Sequence, residues 1–170
     1  MILKRASSLV WLVRQVAKLA VIRIRGTVEL RGDIKETLRM LCLTRVNHCV
    51  IIDDDQSYKG MLQKAKDYIT WGEVRQDVIE ALLRKRGRLA GDKKLSDEYV
   101  KSNTSFASIA ELAKAVSAGE FKLSALAGLK KVFRLHPPRK GYRAARRPFK
   151  DLGDLGYRGD KINELVLRMI

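Results

Sequence analysis

The side chains in this sequence that could act in catalysis are few, and none has a partner at a useful spacing. Of the two histidines, His48 falls inside a predicted strand and His136 stands beside two prolines. A catalytic nucleophile needs a base within hydrogen-bond reach, and no pattern of Ser, Cys and His supplies one. The two cysteines, Cys42 and Cys49, are too few for a disulfide framework and suit a reducing compartment. We therefore predict no catalytic residue.

Metal and phosphate chemistry have equally little support. Asp53, Asp54 and Asp55 could bind a divalent cation, but consecutive residues at a strand end do not converge on one ion, so a solvated turn is predicted. The stretch GDLGYRG matches neither a P-loop nor a dinucleotide-binding motif. Arg-Gly-Asp occurs twice, and we predict that its aspartate, Asp33 or Asp160, caps a helix. The sequence thus predicts no metal, cofactor or small-molecule substrate.

Positive charge is the outlying property of the chain. The 35 Lys and Arg residues against 19 Asp and Glu give a net charge of +16, which favours a polyanionic partner such as nucleic acid or an anionic membrane. Residues 121–150 hold ten Lys or Arg and no acidic residue. Within them, RLHPPRKGYRAARRPFK places three prolines, Tyr142 and Phe149 among the cations. An extended basic segment can follow phosphates while aromatic rings stack on unpaired bases.

The first half of the chain predicts the order β-α-β-α-β. Residues 18–26 end in alternating Ile and Arg, which predicts a strand with Arg23 and Arg25 on one face. Residues 48–53 and 68–74 predict two further strands, each preceded by a helix. We expect two parallel crossovers packed on one sheet, as in a small ferredoxin-like or split β-α-β fold.

The second half of the chain predicts mainly helices. Apolar periodicity indicates two of them between residues 75 and 119, and the charged connection between these two leaves room for one short helix after Ser96. A final helix has the predicted buried face Ile162, Leu165, Val166 and Met169. The predicted fold class is therefore α+β, a small ferredoxin-like core with a mostly helical C-terminal extension.

This pattern divides the chain into three segments. We predict an N-terminal extension at 1–17, the ferredoxin-like core at 18–75, and the helical extension at 76–170. The last segment contains a basic RNA-binding loop at 130–150. Because an apolar helix follows it, an internal loop is favoured over a flexible basic tail.

Several motifs, in the right order, resemble one protein family. The stretches AVIRIRGTVELRGDIKETLRMLCLTRVNHCVIIDDDQSYKGMLQKAKDYITWGEV, HPPRKGY and LGYRGDKINELVLRMI are similar to the archaeal and eukaryotic branch of the large-subunit ribosomal protein "L thirty" family. The likeness extends from about residue 18 to residue 170. The archaeal form fits best, because eukaryotic members usually carry a longer basic N-terminal arm.

The resemblance implies a structural constituent of the large ribosomal subunit that binds 23S-type rRNA in the cytoplasm. It also implies a ferredoxin-like core with a helical C-terminal addition. Family members lie near the 5S rRNA region, so 5S rRNA and neighbouring large-subunit proteins are further expected partners. No cofactor, reaction or membrane association comes with the family.

Residues 1–15 depart from the family, whose members typically begin near AKLAVIRIRG. Val16 directly precedes that string here. We hypothesise that Val16 is encoded by a GTG start codon, so that residues 1–15 are not part of the native protein. The apolar run at 9–13 is too short to span a membrane. N-terminal sequencing of the native chain tests the hypothesis, and a chain that begins at Met1 would contradict it.

We expect the rRNA contacts to come from polar and cationic side chains at the ends of the core elements and in the basic loop. Cations position a protein on phosphates, whereas shape and stacking supply most of the specificity. The C-terminal half could instead cover the arginines of the first strand. The predicted contacts are Arg23, Arg25, Arg31, Arg45, Asn47, Lys59, Arg134, His136, Arg139, Lys140, Tyr142, Arg143, Arg146 and Arg147.

Two alternatives remain at this stage. Acylphosphatases use a ferredoxin-like fold with a phosphate-binding loop, an Arg and an Asn, and Arg31 and Asn47 could take those roles. The stretch RGTVELRG lacks the glycine density that would direct backbone N–H groups at a phosphate. The other alternative is an RNA-binding regulator that acts outside the ribosome.

Overall fold

A five-stranded sheet forms the centre of the protein, and the computed structural model describes residues 18–170. The strands lie in the order β4-β2-β1-β3-β5. The first three confirm the predicted strands, whereas the last two fall where the sequence pattern predicts none. Their bounds are β1 (Lys18–Arg23), β2 (His48–Asp53), β3 (Ile69–Glu73), β4 (Val132–Arg134) and β5 (Gly156–Tyr157).

Helices cover both faces of the sheet. In the described residues they are α1 (Gly32–Met40), α2 (Gln56–Lys64), α3 (Gln76–Arg86), α4 (Asp97–Asn103), α5 (Ile109–Ala118) and α6 (Ile162–Met169). One core cluster packs α1 and α2 on one face of the sheet. The other packs the four helices α3, α4, α5 and α6 on the opposite face. The central strand β1 is buried along its whole length, because its side chains alternate between the two clusters. This arrangement confirms the α+β class and the ferredoxin-like core.

The predicted pair of parallel crossovers is wrong in one respect. Strand β1 lies between β2 and β3 and is antiparallel to both. Strands β2 and β3 therefore run in the same direction without touching, which is the split β-α-β arrangement. Helix α1 connects two antiparallel neighbours instead. The apolar run of β2 did not distinguish these cases, because a strand covered on both faces is apolar in either direction.

The chain after residue 75 contributes to the same sheet as the chain before it. Strand β4 pairs with β2 in antiparallel fashion, and β5 pairs with β3 in parallel. Helix α6 buries the predicted face of Ile162, Leu165, Val166 and Met169. Both edges of the sheet are thus formed by short strands from the C-terminal half.

The two predicted aspartate caps are wrong. Helix α1 begins at Gly32, so Asp33 lies in its first turn, where its carboxylate accepts a hydrogen bond from the Ile34 N–H (2.9 Å). Asp160 lies in a 3-10 turn that precedes α6, and its side chain caps nothing. In both places the helix starts one or two residues away from the aspartate, a shift that residue preference alone does not resolve.

The N-terminal extension at 1–17 and the start-codon hypothesis at Val16 lie outside the described residues. Within residues 18–170, no helix combines the length and the apolar character that crossing a bilayer requires.

Candidate nucleic-acid interface

The two ends of the sheet give a frame in which each predicted contact can be placed. At one end β1 finishes while β2 and β3 begin, since Arg23 pairs with Ile69; we call this the Arg23 end. At the other end Lys18 pairs with Asp53, and we call it the Lys18 end. Loops leave the sheet at both ends, so a contact residue belongs to one of them.

The basic loop at 130–150 begins as part of the sheet. Arg134, the last residue of β4, pairs with His48 at the Arg23 end. The backbone N–H groups of His136 and Arg139 then donate to carbonyl oxygens in the last turn of α6, at 3.0 and 3.1 Å. The side chains of both residues remain exposed. The backbone is therefore held on the protein while the side chains are presented to solvent.

Tyr142 connects the middle of the loop to the core. Its ring packs against the larger core cluster, and its hydroxyl donates to Asn47 Oδ1 at 2.9 Å. Burial is the main cause that raises the pKa of Tyr142 to about 12, with a further contribution from the charge of Asp154. Asn47 itself precedes β2 in a left-handed conformation with φ of 62°. These two predicted RNA contacts bind each other through their polar groups.

A buried ion pair supports residues 143–148, and the sequence pattern did not single it out. The Asp154 carboxylate accepts from the backbone N–H groups of Arg143 (2.6 Å) and Ala144 (3.1 Å). It pairs with the Arg158 guanidinium at 3.0 Å, and the two side chains expose only 5% and 4%. Arg158 also donates to Thr70 Oγ1 on β3 (2.9 Å). The only sequence hint is an Asp and an Arg four residues apart in a stretch we interpreted as turns.

Arg23 departs most clearly from the predicted contact set. It exposes 2% of its surface, and its Nη1 donates to the carbonyl oxygens of Leu43 (2.8 Å) and Thr44 (3.0 Å). Both of these carbonyl groups belong to the loop between α1 and β2. A guanidinium in this position holds that loop, and its burial argues against a phosphate contact, although the contact itself stays a prediction.

Arg25, two residues further on, is half-buried. Its guanidinium stacks over the Tyr68 ring, with Cζ 4.8 Å from the ring centroid, and its Nη1 donates to Asp67 O at 3.3 Å. Stacking of this kind leaves the positive charge of Arg25 partly accessible, because the tyrosine ring carries no negative charge that would neutralise it.

Arg31 and Lys59 lie at different ends of the sheet. Arg31 precedes α1, and its Nε lies 3.7 Å from Asp33 Oδ1. The other oxygen of Asp33 lies 3.9 Å from Nζ of Lys64, the last residue of α2. Because the chain continues from α2 to the start of β3, this group lies at the Arg23 end. Lys59 lies near the start of α2, and its Nζ is 3.0 Å from Asp54 Oδ1, just beyond the last residue of β2. Lys59 is therefore at the Lys18 end, apart from the other predicted contacts.

The remaining predicted cations are exposed at the Arg23 end. Apart from Arg134, none of them forms an ion pair within residues 18–170. Arg134 differs, because it contacts Asp92 Oδ2 at 3.3 Å and shares that carboxylate with Lys130. The hydrogen bond from Lys130, followed by the two positive charges, lowers the pKa of Asp92. We call the unpaired residues the free-cation set: Arg45, Arg139, Lys140, Arg143, Arg146 and Arg147.

The local potential at the Arg23 end is positive, and His48 responds to it. Burial lowers the pKa of His48, and the charges of three nearby arginines lower it further. Those arginines are Arg134, Arg45 and Arg23. Both effects disfavour the charged imidazolium at this position.

The residues of the acylphosphatase alternative each have another partner. Arg31 lies beside Asp33, and the side-chain oxygen of Asn47 holds the Tyr142 hydroxyl. The carboxylate run is likewise divided, since Asp53 pairs with Lys18 and Asp54 with Lys59. In the part of the chain that the structure describes, no cluster of His, Cys, Asp and Glu is arranged to hold a metal ion.

Comparison with known proteins identifies the family. The model of the ribosomal protein L30p/L7e family matches residues 19–69. The large ribosomal subunit protein uL30 of Methanobrevibacter smithii is 53% identical over 88% of this chain and 98% of its own length. The proteins of the same name from Methanococcus maripaludis and Archaeoglobus fulgidus are 53% and 51% identical, over 89% and 88% of this chain and 98% of each relative.

Fold and surface together define a small α+β protein with an electropositive end suited to a polyanion. The extent and identity of these matches go further. The chain belongs to the ribosomal protein L30p/L7e family. The organisms are archaea, which agrees with the archaeal branch predicted from the motifs.

Proposed function

We infer that this protein is a structural constituent of the large ribosomal subunit and binds rRNA there. The observation that carries the inference is the match over nearly the whole chain to relatives named large ribosomal subunit protein uL30. Family membership accounts for the net charge of +16, because a protein embedded in RNA neutralises phosphates. The protein works in the cytoplasm as part of the translating particle.

The interface we propose is the Arg23 end of the molecule. It consists of the free-cation set with Arg25, Arg31, Arg134 and His136 at its margins. The held backbone of the basic loop supports this assignment, since side chains on a fixed backbone lose less conformational entropy when they bind phosphates. Arg23 and Lys59 are left out, one because it is buried and the other because it lies at the Lys18 end. Asn47 and Tyr142 act by positioning the loop.

The finer partners follow from the family and not from any contact in the structure. We propose that the bound RNA is 23S-type rRNA and that 5S rRNA and other large-subunit proteins are neighbours. The protein acts without a cofactor and catalyses no reaction in this role. The side chain of Asn47 supports that view, because its amide oxygen already accepts the Tyr142 hydroxyl.

Co-sedimentation tests the proposed function. Native lysate is layered on a high-salt sucrose cushion, and the protein is followed with an antibody. We expect it to sediment with large subunits, since weakly bound basic proteins are removed by salt. A protein that stays in the top fractions, while known large-subunit proteins sediment, would overturn the proposal and favour a regulator outside the ribosome.

A further inference from the structure

A small cleft opens at the Arg23 end between two loops and a turn. It lies between the β1–α1 connection, the turn before β3 and the basic loop, and its volume is about 300 Å³. Both loops that face each other across it contain arginines of the proposed interface. The lining side chains used below are Ile24, Arg25, Val28, Tyr68 and Arg146.

The cleft contains a planar stacking surface whose parts are held in place. The Tyr68 carbonyl oxygen accepts from the backbone N–H groups of Ile24 (2.9 Å) and Arg25 (3.1 Å). The Arg25 side chain is fixed a second time by its hydrogen bond to Asp67 O. Because the guanidinium lies over the Tyr68 ring and also lines the cleft, a flat ligand that enters meets an aligned Arg–Tyr pair.

The charge and polarity of the cleft favour a nucleotide over a purely apolar ligand. Arg25 and Arg146 form no ion pair in the described residues, so both charges are available to a phosphate. Val28 exposes 85% of its surface at the rim, an apolar side chain that a bound base would cover. An unpaired base offers a flat face to the Arg–Tyr pair and a phosphate to the second arginine.

The aromatic side chains predicted to stack on bases are occupied within the protein. The Tyr142 ring packs in the core, and the Phe149 ring is covered by Arg158 (4.9 Å) and Lys161 (5.8 Å). Stacking by the basic loop itself is therefore restricted. Tyr68, which comes from the core and was not among the predicted contacts, is also covered by a cation, but that cation is Arg25, whose guanidinium lines the cleft and offers its own flat face.

We propose that this cleft holds one unstacked nucleotide of the bound rRNA, with its base against the Arg25–Tyr68 pair and its phosphate toward Arg146. The inference rests on the proposed function and deepens it, because it names the part of the RNA that this site binds. Shape-specific binding of one extruded base adds specificity that phosphate contacts do not provide.

The test compares the affinity and salt dependence of variants for transcribed 23S-type rRNA. Arg25→Lys keeps the charge and removes the flat guanidinium, and Tyr68→Leu removes the ring. We expect each to weaken binding roughly tenfold with the salt slope of the wild type, because stacking is not electrostatic. The double variant should bind about as weakly as the weaker single one, since both remove the same stack. Arg39→Lys, an exposed arginine of α1 paired with Glu36, is the matched control and should bind normally.

Each outcome decides between the two levels of the proposal. Wild-type affinity in Arg25→Lys overturns the cleft assignment, even if Tyr68→Leu is too unstable to give a cooperative melt. An altered salt slope in Arg25→Lys also overturns it, because the charge is retained. If the wild-type protein binds this rRNA no better than an unrelated RNA of equal length, the proposed function fails as well.

Discussion

The Arg23 end and the Lys18 end of the sheet differ in how their charged groups are partnered. At the Lys18 end, two carboxylates at the end of β2 neutralise two cations, in the pairs Lys18–Asp53 and Lys59–Asp54. At the Arg23 end, the free-cation set has no ion-pair partner within residues 18–170. A net charge of +16 therefore indicates the class of partner, and the pairing of individual charges indicates the surface.

The carboxylates of the two ends also have different roles. Asp53 and Asp54 act on side chains and remove charge from the surface. Asp154 is buried behind the basic loop, where it binds two backbone N–H groups and the guanidinium of Arg158. An acidic residue thus shapes the loop without neutralising the cations that the loop displays.

The largest expected effect comes from removing the charge of Asp154. Asp154→Asn leaves the Arg158 guanidinium buried without its counter-ion, and we expect the free energy of unfolding to fall by roughly 3–5 kcal/mol. Urea unfolding measures the loss. Asp92→Asn, whose ion pairs are exposed, is the control and should change the midpoint little. An unchanged midpoint in Asp154→Asn would mean that the ion pair does not support the loop.

A smaller effect is expected at the hydrogen bond that connects the loop to the core. Tyr142→Phe removes the donor to Asn47 and should cost about 1 kcal/mol in thermal or urea unfolding. Tyr58→Phe, whose hydroxyl makes no hydrogen bond within residues 18–170, is the matched control. Equal stability of the two variants would contradict the role assigned to Tyr142.

The same pair of variants predicts a pH dependence. The folded pKa of Tyr142 is raised to about 12, above the ordinary value of about 10. The neutral hydroxyl is therefore favoured in the folded state, and its contribution is present below pH ~10 and is lost as the pH rises toward 12. The stability difference between wild type and Tyr142→Phe should shrink across that window. A constant difference would show that the hydroxyl titrates normally.

The smallest expected effect concerns the release of cations from their carboxylate partners. It should change rRNA binding only at the proposed interface. Asp92→Asn releases Lys130 and Arg134, and asparagine suits the left-handed φ of 60° at this position. Binding to 23S-type rRNA should gain a salt slope steeper by up to about 1.4, or about 0.7 for each new phosphate contact. Asp54→Asn releases Lys59 at the Lys18 end and should leave the slope unchanged. Equal effects of the two variants would remove the distinction between the ends.

The fold was predictable where the pattern is long and local. Strands β1 to β3 and the buried face of α6 follow from periodicity that extends over five residues or more. Strands β4 and β5 have three and two residues, too few for a pattern. Their pairing with β2 and β3 depends on contacts distant in sequence. The prediction of the strand directions was wrong for a related reason, because a strand buried on both faces has the same apolar pattern in either direction.

The site was predictable in its charge and not in its geometry. Arg23 and Arg25 have the same residue type and the same parity in the sequence, yet Arg23 at the end of β1 is buried, whereas Arg25 just beyond the strand is only half-buried. The difference is made by the carbonyl groups of Leu43 and Thr44, which belong to a loop that folds over Arg23. The residues next to Arg23 in the sequence do not indicate that this loop buries it. The role of Asp154 is hidden for the same reason.

The salt dependence of rRNA binding tests the central claim most directly. One variant replaces Arg139, Lys140, Arg146 and Arg147 with Ala, and its matched control replaces Arg39, Lys59, Arg75 and Lys122, four exposed cations outside the basic loop. Both lose the same charge. We predict that the first variant loses about 0.7 of salt slope for each phosphate contact removed, while the control keeps the slope of the wild type. Equal slopes in the two variants would contradict an RNA interface at the Arg23 end.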